Sequence, residues 1–292
     1  MEFIDGGVTA AKGFQAANAA AGIKYQDRDD MAMLFSELPC RAAGTFTSNL
    51  VKAAPVLWDQ RLVAGGEIRA VVVNAGIANA STGEEGMEAC RRTAAAAAEA
   101  LSLAGEEQVL VASTGVIGMQ LPVGKIENGI RVMASLLSGT RDAGNKAARA
   151  IMTTDTKPKE AAVRFLVGGK EVTLGGMCKG SGMIHPDMCT MLSFLTTDLK
   201  IRKDLLQKAL SADVEETYNM ISVDGDTSTN DTCVLLANGA AENPEITEEG
   251  EDYRAFCEAL HAVNETLAKK MAGDGEGATA LFEVRITGAK SR

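Results

Sequence analysis

From Lys179 the chain runs Gly180-Ser181-Gly182-Met183-Ile184-His185-Pro186-Asp187-Met188-Cys189-Thr190-Met191-Leu192. This is a glycine loop that carries a lysine and ends, after a proline, at a threonine heading an apolar stretch (Met191, Leu192, Phe194, Leu195). A threonine so placed suits the chemistry of an N-terminal nucleophile. If the peptide bond before it breaks, Thr190 supplies both a hydroxyl to attack and an α-amine to take its proton. A free α-amine has an unperturbed pKa of about 7.7–8.0, close to working pH, where a general base acts best. The plain alternative is a glycine-rich turn entering a strand.

Other chemistries fit the glycine-rich segments less well. Over 176–182 the lysine precedes Gly180-Ser181 instead of following a glycine at phosphate-loop spacing, and Gly180-x-Gly182 lacks the third glycine of a dinucleotide fingerprint. Asp224-x-Asp226 hints at a calcium loop, but Ser228, Thr229 and Leu235 stand where an acidic ligand, the turn glycine and the closing glutamate belong. The six cysteines, Cys40, Cys90, Cys178, Cys189, Cys233 and Cys257, form no C-x-x-C pair, and His185 and His261 are the two histidines. No metal and no cofactor are expected. We expect reduced, mostly buried cysteines, a structural His261, and for His185 either packing or assistance within its loop. The Cys189 thiol is the competing nucleophile to Thr190.

The Lys179–Leu192 segment resembles the self-processing motif of the ornithine acetyltransferase family, the glutamate N-acetyltransferases of arginine biosynthesis. Seven further segments match in family order. They are Gly6-Gly7-Val8-Thr9-Ala10-Ala11-Lys12-Gly13-Phe14, Ala43-Gly44-Thr45-Phe46-Thr47-Ser48-Asn49 with Ala53-Ala54-Pro55-Val56, and Asn74-Ala75-Gly76-Ile77-Ala78-Asn79-Ala80. Ser113-Thr114-Gly115-Val116-Ile117-Gly118, Ala150-Ile151-Met152-Thr153-Thr154-Asp155-Thr156, 222–231 and 274–279 complete the set. Ala11 stands where a proline is usual and Cys189 where an alanine is usual.

The resemblance implies cleavage between Cys189 and Thr190, giving an α-chain of 1–189 and a β-chain of 190–292, assembled as two α and two β. It implies Thr190 as nucleophile and Thr114 with Gly115 as the oxyanion hole. Without it, Thr114-Gly115 is a strand-end turn. Thr153, Lys179, Thr190 and Glu276 match substrate-binding positions. Unaided, Thr153 reads as a helix cap, Lys179 as a solvated lysine and Glu276 as an exposed glutamate. The implied activity is acetyl exchange from N-acetylornithine to glutamate, with acetyl-CoA as a donor used by some members. The implied fold is α/β (α+β), a layered two-lobed fold shared with β-peptidyl aminopeptidases, with the processing site between the lobes. The competing functions are a self-processing aminopeptidase or amidase, distinguished by free acetate release, and an inactive truncated relative. The family continues past Arg292, so a missing C-terminal part is expected.

Composition is that of an ordinary globular chain. Among 292 residues, 46% are hydrophobic and 23% charged, which suits a globular chain, while 4% aromatic leaves the core to Ala, Val, Leu, Ile and Met. A net charge of −10 argues against nucleic acid. No apolar run reaches the roughly 20 residues a membrane span needs. The amino-terminal residues lack a signal-peptide pattern, and a cytoplasmic location is expected.

The elements that must hold these residues read as short apolar strands alternating with longer helical patterns. Strands are expected over 68–73, 109–112, 162–167, 191–195, 233–237 and 280–286, with a hairpin turn at Gly168-Gly169. Helices are expected over 84–103, 123–137, 142–152, 202–220 and 251–271. In the last, Tyr253, Phe256, Leu260, Val263 and Leu267 form one stripe. Ser138-Gly139-Thr140 and the loop around Gly180 are the expected breaks, with no repeat or linker.

Overall fold

The computed structural model describes residues 1–184 and 191–288. Its strands are β1 (Glu2–Ile4), β2 (Phe14–Ala19), β3 (Met31–Phe46), β4 (Ile68–Ile77), β5 (Val109–Val116), β6 (Lys159–Val167), β7 (Lys170–Lys179), β8 (Leu192–Thr197) and β9 (Thr232–Ala237). The helices are α1 (Ala54–Gly65), α2 (Gly83–Ala100), α3 (Val123–Leu136), α4 (Arg141–Ala150), α5 (Lys203–Glu216) and α6 (Glu251–Ala272). The strands join in the order β1-β6-β7-β8-β9-β3-β4-β5, with β2 also on β3. The pairs β4–β5 and β8–β9 are parallel and the others antiparallel.

Strand β3 joins two halves of the molecule. Its first part pairs with β2 and β4, its register shifts between Phe35 and Cys40, and Arg41 to Phe46 then pair with β9. An irregularity of this kind bends a strand and re-aims its side chains. Helices α3 and α4 pack on β2, and α1 and α2 on β5. Helix α6 packs on β6 and β7, and α5 on β3. Two cores result. Phe194, Val234 and Leu236 belong to one, while Leu195, Cys233 and Leu235, their neighbours in sequence, belong to the other. Strands β8 and β9 are therefore buried on both faces, which is why their apolar runs are continuous instead of alternating. This is the layered α/β fold that was expected.

Five of the six expected strands and all five expected helices form, with boundaries moved by a few residues. The β6–β7 hairpin turns at Gly168 (φ 54°) and Gly169 (φ 77°), where two consecutive left-handed residues match the twist of the flanking strands. In α6 the stripe Phe256, Leu260, Val263 and Leu267 is fully buried. Each such side chain contributes about 1.5–3 kcal/mol by leaving water. The exception is 280–286, which forms no strand: Phe282, Val284 and Ile286 are each at least 80% exposed. Its apolar character suggests a strand, but a strand needs a neighbouring edge for its N–H and C=O groups, and no strand among the described residues pairs with it.

Candidate active site

Strand β5 runs parallel to β4 with Gly76 opposite Gly115, and both glycines have positive φ, 111° and 132°. A Cβ on Gly115 would stand 2.2 Å from the Gly76 carbonyl carbon, so the close approach of the two strand ends requires glycine there. Thr114 is buried just before this point, and Gly115 is exposed. Asn230 fixes the strand end by donating to Ala78 O at 2.6 Å and Ser113 O at 2.9 Å.

Lys179, the last residue of β7, is 2% exposed, not solvated. Its ammonium donates to Thr153 Oγ1 at 2.8 Å and Thr114 Oγ1 at 3.3 Å, and stands 3.8 Å from Asp155 Oδ2. Burial pulls the Lys179 pKa down against the pull of Asp155. Each of the two hydroxyls thus accepts from one ammonium, and neither donates to any described residue. Thr153 caps no helix; it lies in the turn after α4, where its N–H donates to Asp155 Oδ2 at 3.1 Å.

Asp155, given no role of its own by the sequence, organises this corner. Its Oδ1 accepts from Gly180 N at 2.7 Å and from Lys159 Nζ at 2.6 Å. Burial pushes its carboxyl up, and the ammonium groups of Lys179 and Lys159 more than reverse this, leaving the pKa below the ordinary 3.8. Glu276 follows α6, exposed, with its N–H donating to Ser181 O at 2.6 Å. Its carboxylate lies so close to Gly182 that a Cβ there would meet it at 2.7 Å. The site thus offers a buried cation and an exposed anion on either side of Gly180-Ser181-Gly182.

Thr190, Cys189 and His185 lie outside the described residues, but both ends of their segment are fixed. Lys179 pairs with Leu192 across β7 and β8, so the connection 180–191 leaves and returns beside Lys179. On the entering side, Asp224 accepts from Met183 N at 2.5 Å and Ile184 N at 2.8 Å. On the leaving side, Asp231 accepts from Met191 N at 3.1 Å, and Met191 O accepts from Thr232 N at 3.1 Å. The run 222–231, whose Asp224-x-Asp226 hints at calcium ligands, clamps the two flanks of the connection. Its spacing carries no signal of that task, because the partners lie 40 residues away.

His261, on α6, pairs with Asp213 of α5 at 2.7 Å. Cys40, Cys90, Cys178 and Cys233 are free and buried, and burial pushes the Cys40 and Cys233 thiols up to about 12. No described helix is long and apolar enough to cross a membrane.

The ArgJ family model matches residues 15–292. The arginine biosynthesis bifunctional protein ArgJ of Symbiobacterium thermophilum is 53% identical over 291 residues, covering 99% of this chain and 72% of the relative. ArgJ 1 of Clostridium acetobutylicum is 51% identical over 284 residues, covering 97% and 69%. Among solved structures, ornithine acetyltransferase from Mycobacterium tuberculosis, complexed with ornithine, is 43% identical with a TM-score of 0.59, covering 64% of this chain and 97% of that one. ArgJ from Bacillus halodurans is 40% identical with a TM-score of 0.60, covering 66% and 97%. A β-aminopeptidase from Burkholderia sp. shares the fold at 10% identity and a TM-score of 0.58, covering 93% and 87%.

Proposed function

The chain belongs to the ArgJ family, and on that premise we propose that it moves the acetyl group of N-acetylornithine to glutamate through an acetyl ester on Thr190. Maturation precedes exchange. The Thr190 hydroxyl attacks the Cys189 carbonyl, the C–N bond breaks as the ester forms and frees the Thr190 α-amine, and water then hydrolyses the ester, leaving a Cys189 carboxylate and the free Thr190 hydroxyl. The coverage of the two solved relatives supports this division. About two thirds of this chain accounts for 97% of each of theirs, and a chain ending at residue 189 would hold that share of 292 residues.

In exchange, Thr190 attacks the acetyl carbonyl and its α-amine takes the hydroxyl proton. The Thr114 hydroxyl and the Gly115 N–H receive the developing oxyanion. Collapse expels ornithine, whose nitrogen takes the proton back, and the glutamate amine then attacks the ester. The observation that carries this is Lys179 donating to both Thr114 and Thr153, which leaves each hydroxyl its own proton for a substrate oxygen. Glu276 supplies a negative charge for the δ-ammonium that N-acetylornithine carries. Lys179, already balanced by Asp155, acts on the substrate carboxylate chiefly through Thr153. The relatives' description as bifunctional supports acetyl-CoA as a second donor. An assembly of two α and two β chains is part of the same proposal.

The test is mass spectrometry of the full chain. It should separate into 1–189 and 190–292, and N-acetylornithine alone should add one acetyl group to the second, removable by glutamate. Parallel double-reciprocal lines should accompany it. Intersecting lines without an acetylated fragment would sink the exchange scheme, and free acetate released without glutamate would favour a hydrolase.

A further inference from the structure

Lys159 opens β6 at 1% exposure, and its ammonium joins both halves of the charged site. On one side it donates to Asp155 Oδ1 at 2.6 Å. That carboxylate holds Gly180 N and Thr153 N and faces Lys179. On the other side Lys159 donates at 2.6 Å to Asp274 Oδ2, two residues before Glu276. Asp274 also receives Thr156 N at 3.0 Å and the Thr156 hydroxyl, so it ties the turn after α6 to the turn that carries Thr153. Two lysines and two aspartates balance one another out of water, with side chains 9% exposed or less.

Burial alone would lower the Lys159 pKa, but Asp155 and Asp274 raise it above 10.5, so the bridge is charged at neutral pH. A surface lysine contact would carry little. A buried one with both carboxylates satisfied fixes geometry, because losing either partner strands a charge. From this arrangement we infer that Lys159 is a positioning residue for the substrate site: through Asp274 it sets the place of Glu276, and through Asp155 that of Thr153 and Lys179. The inference rests on the acetyl-exchange proposal for what those residues bind.

The experiment uses the full chain with Asp274→Asn, which keeps the shape and removes the charge that Lys159 meets. KM for N-acetylornithine should rise about tenfold or more while kcat moves little, since substrate placement is lost and the oxyanion donors remain. A buried-core variant remote from the site, Val263→Ala, shows what the same loss of Tm does by itself. It should leave KM where it was. If Asp274→Asn does not fold, Lys159→Met with Asp274→Leu removes both charges of that arm together, a change that buried pairs often tolerate, and should give the same rise. Ornithine affinity, measured by calorimetry on each variant, separates the two ideas. A wild-type chain that binds ornithine but exchanges no acetyl group refutes the exchange scheme, and the weakened ornithine binding of Asp274→Asn then still decides for Lys159. Unchanged KM and unchanged ornithine affinity in a folded variant overturn the positioning role, as does a wild-type chain that does not bind ornithine at all.

Discussion

The Met191 N–H donates to Asp231 at 3.1 Å, so a fully buried carboxyl holds the main chain one residue past the expected cleavage point. The other carboxyl oxygen, Asp231 Oδ2, is buried without a partner among the described residues. Burial pushes this carboxyl well above its ordinary 3.8, outweighing the Met191 N–H, the nearby Ser228 and Thr47 hydroxyls and the charge of Lys179.

A stability test follows from that shift. Because the folded value lies above the unfolded one, the protonated carboxyl's contribution is complete below 3.8. It is lost as pH rises from there to the folded pKa. Asparagine keeps the acceptor for Met191 N–H and does not titrate. Melting curves between about pH 4 and pH 8 should therefore show Asp231→Asn gaining on the wild type as pH rises. A difference that shrinks with rising pH would mean the carboxyl is ionised in the folded chain.

The oxyanion site gives a rate prediction. Thr114→Val removes one aimed donor and keeps the shape, so kcat should fall about 10²- to 10³-fold, with KM nearly constant. Thr114→Ser restores the hydroxyl and should recover most of the rate. If valine left kcat intact, the hydroxyl held by Lys179 would have no part in the transition state.

Gly115 carries a backbone prediction. An alanine there would have to hold φ near 132° and place its Cβ 2.2 Å from Gly76. Strain of this kind costs about 1–3 kcal/mol before the clash is counted. Gly115→Ala should lower Tm and abolish exchange together, whereas an alanine at Gly118 (φ 82°), whose Cβ would meet nothing within 4 Å, should lose some Tm and keep activity. Equal activity in both would remove the special role of the β4–β5 close approach.

How far the sequence reveals this architecture depends on distance along the chain. The β6–β7 hairpin was legible because its turn is two adjacent glycines, and α6 because its stripe repeats every three or four residues. No helix or strand was expected over 14–65, where β2, β3 and α1 form. There the shift in β3 breaks the alternation that would have marked a strand, and α1 has no side-chain cap. The roles of Thr114, Lys179 and Glu276 came from resemblance. Asp155, Lys159 and Asp274 were missed because their meaning lies in a contact between residues 159 and 274, which no local pattern encodes.

Glu276 is the exposed anion of the site, and its role separates from the rest by substrate. N-acetylornithine brings a δ-ammonium that glutamate lacks, while both bring a carboxylate. Glu276→Gln keeps the backbone contact to Ser181 and removes the charge alone. KM for N-acetylornithine should therefore rise about tenfold, the scale of one lost charge-assisted contact, with a much smaller change for glutamate. Cleavage into 1–189 and 190–292 should proceed as before, because maturation needs the nucleophile and the oxyanion donors but no ammonium partner. Kinetics with each substrate varied in turn, beside intact mass, read all three quantities from one preparation. A rise of equal size for both substrates would place Glu276 on a group they share, and unchanged constants would leave it outside the site.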